Sequence, residues 1–230
     1  MVLGKKYTVK IEGENEIVTP EEFKEMLDEL FLLNGVLDIG DSIPWLAFLD
    51  LQGLDRWRTE SSAVTVEWAL SELLRKPEIF EKATEELDRV IGRERWVEEK
   101  DIVNLPFIDA IAKETMRLHP VAPMEDPSIW DNPNEFCPER FLGKGIDVKG
   151  QDFELLPFGA GRRMCPGYPL GIKVIQTSLA NLLHGFKWKL PGDMKKEDLN
   201  MEEIFGLSTP RKFPLLVVAE PRLPSHVYSL

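Results

Sequence analysis

At 230 residues and 43% hydrophobic content, the chain is long enough for one large domain with a packed core. Its 28 basic against 40 acidic residues, a formal net charge of -12, argue against nucleic acid as a partner, because phosphate contacts need a clustered excess of Lys and Arg. Cys137 and Cys165 are the only cysteines, far apart in chain, so a disulfide framework is not expected and a reducing compartment is the default.

The first predicted element opens at Thr19-Pro20-Glu21-Glu22, a capping box with Pro in the first turn. Phe23, Met26, Leu27, Leu30 and Phe31 then recur at helical spacing until Asn34-Gly35. A second helix is predicted over Ser62 to Lys76, stopped by Pro77, which starts a third running to about Ile91 with Gly92 as its left-handed terminator. A fourth spans about Pro106 to Leu118 and a fifth about Leu170 to Gly185. Between these two, the Pro-rich run from His119 to Phe158 reads as wrapped coil, and Phe213 to Ala219 reads as a short strand. No apolar stretch approaches the roughly 20 residues of a membrane span, and no signal peptide or anchor is visible.

The passage Leu156 to Gly171, LPFGAGRRMCPGYPLG, carries the chemistry. Gly161 lets backbone approach a flat cofactor, Arg163 offers a planar charged fork to a carboxylate such as a haem propionate, and Phe158 can shield a sulfur from water. Cys165 precedes Pro166-Gly167 and a helix N-terminus, which favours its thiolate, the form that binds metal. A lone Cys in a Gly-rich turn is most often a structural thiol. Phe, Gly, Arg, Cys and Gly at these offsets, however, recur by chance on the order of once in ten thousand such chains.

This loop resembles the haem-binding signature of the cytochrome P-450 family, F-x-x-G-x-R-x-C-x-G, filled by Phe158, Gly161, Arg163, Cys165 and Gly167. Glu114-Thr115-Met116-Arg117 matches the family's E-x-x-R, and Pro138-Glu139-Arg140-Phe141 its P-E-R-F. The wording of KETMRLHP, WDNPNEFCPERF and the cysteine loop is similar to plant microsomal members that hydroxylate flavonoids and terpenoids. The resemblance implies a mainly α fold with small β elements, here the C-terminal portion of that fold. It would be a single incomplete domain over 1–230, made of an N-terminal helical remnant (1–58), helices through E-x-x-R (59–124), and coil, cysteine loop, helix and strand (125–230).

It further implies haem b held through Cys165 as the iron ligand, electrons from NADPH through an NADPH-cytochrome P-450 reductase, and a small lipophilic substrate. Glu114, Arg117 and Arg140 would form a buried network that fixes the coil, a folding element rather than a catalytic one. Phe205, Leu207 and Ser208 would reach substrate. Relatives sit on the cytosolic face of the endoplasmic reticulum membrane; without a visible anchor, the cytosol is the alternative. Cys137, His119, His184 and His226 lack a supporting constellation and read as structural or surface residues.

Three departures stand out. The early helices of the family have no counterpart. Where the family has Ala/Gly-Gly-x-Asp/Glu-Thr, the sequence has Trp57-Arg58-Thr59-Glu60-Ser61, so Glu60 and Ser61 are either proton-delivery residues or a helix-start cap, and Leu51 to Arg58 reads as a junction. After Met124 the chain passes straight to Glu125-Asp126-Pro127, without the family's pocket strands, leaving Arg163 as the propionate partner. These losses predict weak or absent haem retention, and the alternative function is a catalytically inactive remnant.

Overall fold

A computed structural model of the chain describes residues 52–121, 127–204 and 209–228. The helix expected after Thr19 and the junction at Met124-Glu125 lie outside them. The described architecture is mainly helical: α1 (Gln52–Arg75), α2 (Pro77–Val90), α3 (Pro106–Leu118) and α4 (Tyr168–Gly185), with β1 (Phe186–Lys189) and β2 (Val218–Pro221). None of the described helices is long and apolar enough to cross a membrane.

α1 is the central helix and packs on α2, α3 and α4. Val66, Trp68, Ala69, Leu70 and Leu73 have no exposed surface, so over 61–75 it is buried nearly all round, as an interior helix must be. Its interior hydroxyls are satisfied locally: Thr65 Oγ1 donates to Ser61 O at 3.0 Å and Ser71 Oγ to Glu67 O at 2.7 Å. The sequence placed the start of this helix at Ser62. Instead it is continuous from Gln52, because the stretch contains no Pro and its one Gly, Gly53, falls in the first turn. Glu60 and Ser61 therefore lie inside α1, and the reading of Glu60-Ser61-Ser62 as a helix-start cap is overturned.

Pro77 opens α2 and Gly92, at φ +77°, lies just beyond it, as its sequence predicts. Ile79, Ala83, Glu86 and Leu87 form its buried face. Glu86 works across helices: its carboxylate accepts from Phe107 N at 2.9 Å and Ile108 N at 3.1 Å, the orphan donors of α3. Burial pushes the Glu86 carboxyl up, against the lowering by those two N–H groups. The coil after α3 is anchored by Trp130, Phe136 and Phe141, all buried.

The strand differs from its predicted position. Pro214 has no N–H, and Leu215 N donates to Glu67 Oε1 at 2.8 Å rather than to a neighbouring strand. Pairing begins only at Val218, antiparallel to β1, in the register Phe186 to Pro221 and Lys189 to Val218. β1 was missed, although Phe186-Lys187-Trp188-Lys189 alternates in the strand period of two.

The turn between α2 and α3 carries a pH-dependent clamp. Asp101 accepts from Arg95 Nη1 at 2.6 Å and Nη2 at 2.9 Å, and from Glu98 N at 2.9 Å. The Arg95 guanidinium, aided by that N–H and opposed by burial, holds the Asp101 carboxyl at about 2, below its ordinary 3.8. A lowered carboxylate contributes stability above its unfolded value and loses it as pH falls through the folded one. Arg95 is 40% exposed, so solvent screening leaves about 1 kcal/mol. Urea unfolding should show Asp101→Asn less stable than the parent by that amount at pH 6, with the gap closing between pH 4 and 2. An unchanging gap would refute the clamp.

Candidate functional site: the cysteine loop and its support

Cys165 lies between a short 3-10 turn, Gly161–Arg163, and the start of α4. Backbone hydrogen bonds fix the loop: Met164 N donates to Gly161 O at 3.2 Å, Cys165 N to Phe158 O at 2.9 Å, and Tyr168 N to Cys165 O at 3.3 Å. Gly161, at φ +67°, makes the turn that other residues resist. A neighbouring turn supports it from beneath, where a Cβ on Gly150 would lie 2.8 Å from Gly159 O. The result is a free, exposed thiol on a backbone held by its own bonds.

The glycines flanking the sulfur leave room beside it. A Cβ on Gly161 would meet nothing within 4 Å, and one on Gly167 would lie 3.8 Å from the Cys165 sulfur. Phe158 is half-buried, its ring 6.2 Å from Tyr168 and close enough to Gly171 that a Cβ there would sit 3.3 Å from Cε1. Arg163 is exposed, its guanidinium available to a carboxylate. A single sulfur beside open glycine backbone and two exposed arginines, Arg162 and Arg163, fits a haem, with the sulfur as the protein's iron ligand.

The coil leading to this loop is tied to α3 by charge. Glu114 is fully buried and its carboxylate accepts from Arg117 Nε at 2.8 Å, Arg117 Nη2 at 3.0 Å and Arg140 Nε at 3.1 Å. Cys137 N adds a fourth bond at 2.7 Å. The arginines spend their other donors on coil carbonyls: Arg117 on Pro133 O and Glu135 O, Arg140 on Asp131 O and Glu135 O, at 2.8 to 3.1 Å. Trp130 stacks near both guanidinium groups, at 5.5 and 5.7 Å. The structure thus brings together Glu114, Arg117 and Arg140, and adds Cys137 N and Trp130, which the sequence reading did not assign. Trp130 carries a signal in the sequence, a lone Trp amid polar turn formers.

Other candidates are placed less completely. Ser61 is half-buried on α1, with its carbonyl bonded to Thr65; Glu60 precedes it on the same helix, its side chain outside the described residues. Phe205, Leu207 and Ser208 lie outside them too. Of the histidines, His226 is exposed and pairs with Glu94 at 3.0 Å. His184 is fully buried with Nε2 3.0 Å from Arg95 O, and burial lowers its tendency to protonate. His119 is also buried and faces two carboxylates.

The family model described as Cytochrome P450 matches residues 59–125 and 124–217, two segments that meet at 124–125. A trimethyltridecatetraene synthase of Zea mays is 53% identical over 207 residues, covering 74% of this chain and 37% of its own length. A flavonoid 3'-monooxygenase of Arabidopsis thaliana is 36% identical over 310 positions, covering 91% of this chain and 60% of its own length. Since the whole chain has 230 residues, at least 80 positions of that alignment have no counterpart in it. Among solved structures, a zebra fish cytochrome P450 with abiraterone superposes with a TM-score of 0.61 at 27% identity, over 71% of this chain and 45% of that one. The chain spans well under two thirds of the length of each of these proteins. With its E-x-x-R carboxylate, P-E-R-F arginine and cysteine loop matched inside those segments, the chain belongs to the cytochrome P450 family.

Proposed function

We propose that this chain acts as the haem-ligand portion of a monooxygenase that hydroxylates a lipophilic plant metabolite of the flavonoid or terpenoid class. The observation that carries the reading is Cys165, exposed on a loop fixed by its own backbone bonds. Haem iron, when bound, supplies dioxygen activation, and a thiolate ligand favours cleavage of the O–O bond. Phe158, Gly161 and Gly167 would shape the surface against which the porphyrin lies, and Arg163 would hold a propionate. Glu60 and Ser61, by the family resemblance, would hold and pass a proton to the reacting oxygen. Electrons would come from NADPH through the reductase, at the cytosolic face of the endoplasmic reticulum.

A second reading, a remnant with weak haem retention and no turnover, is favoured by the 80 or more positions that the Arabidopsis protein has and this chain lacks. One experiment separates the two. The purified chain is loaded with haem, supplied with reductase, NADPH and a panel of flavonoids and terpenoids, and run under isotopic dioxygen. The monooxygenase reading expects one labelled oxygen atom in the product and the other in water; a haem-loaded protein without labelled product supports the remnant.

A further inference from the structure

His119 directly follows α3, is 7% exposed, and lies flat on Trp68 of α1, with ring centroids 4.0 Å apart and planes 3° apart. Its Nε2 is 2.9 Å from Oε1 of Glu72 on α1, and its Nδ1 is 3.1 Å from Oε1 of Glu203, 84 residues further along the chain. An ionised carboxylate can only accept, so both contacts are hydrogen bonds only when both ring nitrogens carry a proton. A neutral ring would turn one lone pair on a carboxylate oxygen.

Glu203 belongs to a base formed by the segments 202–204 and 209–212. It forms an isolated antiparallel bridge with Arg211, closed by Ile204 N to Pro210 O at 2.9 Å and Lys212 N to Glu202 O at 2.8 Å. The attachments of this base converge on the same corner of the core. Trp68 Nε1 donates to Thr209 O at 3.0 Å, Thr209 N donates to Val121 O at 3.2 Å, and the Arg211 guanidinium stands 5.1 Å from the Trp68 ring. The other charges nearby are paired: Arg75 lies 3.7 Å from Glu72, and Glu67 lies 3.8 Å from Arg211.

We propose that His119 is a positioning residue that, protonated on both nitrogens, bridges Glu72 of the helical core to Glu203 and so sets the base formed by 202–204 and 209–212. Phe205, Leu207 and Ser208, assigned to substrate from the family resemblance, fall in sequence between the two sides of that base, so the functional consequence rests on the monooxygenase reading; the bridge itself does not. Glu203 is 42% exposed, so Glu203→Ala removes one end of the bridge without opening the core.

Two measurements on the full chain decide the bridge. Nitrogen NMR of His119 at neutral pH should show two protonated ring nitrogens; a neutral ring overturns the proposal. Amide exchange at Ile204, Thr209 and Lys212 should be about tenfold faster in Glu203→Ala and in His119→Gln, and no faster in the double variant, because both remove one interaction. Additive effects, or unchanged exchange in Glu203→Ala, overturn it, and Glu203→Ala with the NMR suffices if His119→Gln does not fold. In haem-loaded protein that turns over, Glu203→Ala should raise KM several-fold at constant kcat. An unchanged KM with faster loop exchange keeps the bridge and removes its link to substrate.

Discussion

Glu114→Gln should cost about 3 to 5 kcal/mol of folding stability, the range for removing one member of a buried charge network. The carboxylate has no exposed surface, and the side chains of Arg117 and Arg140 are 3% and 10% exposed. A neutral amide leaves two guanidinium groups facing each other with no charge between them, and its NH2 half cannot accept. Domain stabilities are commonly about 5 to 15 kcal/mol, so this loss is a large share of the total. Arg140→Lys tests the geometry separately from the charge. Lysine keeps the charge but not the planar fork that reaches Glu114, Asp131 O and Glu135 O together, and should cost about 1 to 2 kcal/mol. Denaturant unfolding with a loss under 1 kcal/mol for Glu114→Gln would show that the network does not hold the coil.

Cys165→Ser should do the opposite: leave the fold nearly untouched and abolish iron ligation. The residue is exposed, and the bonds that fix its loop run from backbone to backbone, through Phe158 O and Gly161 O, so the hydroxyl should be tolerated within about 0.5 kcal/mol. A serine hydroxyl is far less acidic than a thiol and gives no soft anionic ligand for iron. Haem titration should therefore show weak uptake by the parent and much weaker uptake by the variant. Equal affinity in both proteins would place the haem elsewhere.

Much of this was readable from residue order alone, and the reasons are local. Pro77 and Pro106 at helix starts, and Gly92 past a helix end, fix boundaries by backbone chemistry, and those helices lie where their residues predict. The start of α1 is not legible in the family motif, from which Trp57-Arg58 depart, whereas backbone propensity lets the helix run from Gln52. The strand failed for a tertiary reason: Leu215 N finds the Glu67 carboxylate, a partner 148 residues away that no local pattern reveals. His119 is the same case. Metal-ligand spacing says nothing about a ring held between Glu72 and Glu203, since the relevant neighbours come from α1 and the C-terminal segment. At the cysteine loop, glycine spacing conveys the turn, but not the support from Gly150, which reaches it from a separate turn.

Coordination of iron by the Cys165 sulfur is the claim on which the functional account stands. The haem-loaded chain, reduced and exposed to carbon monoxide, should give the red-shifted Soret band that a thiolate ligand produces, and Cys165→Ser loaded with the same haem should not. The same band in both proteins would contradict the account.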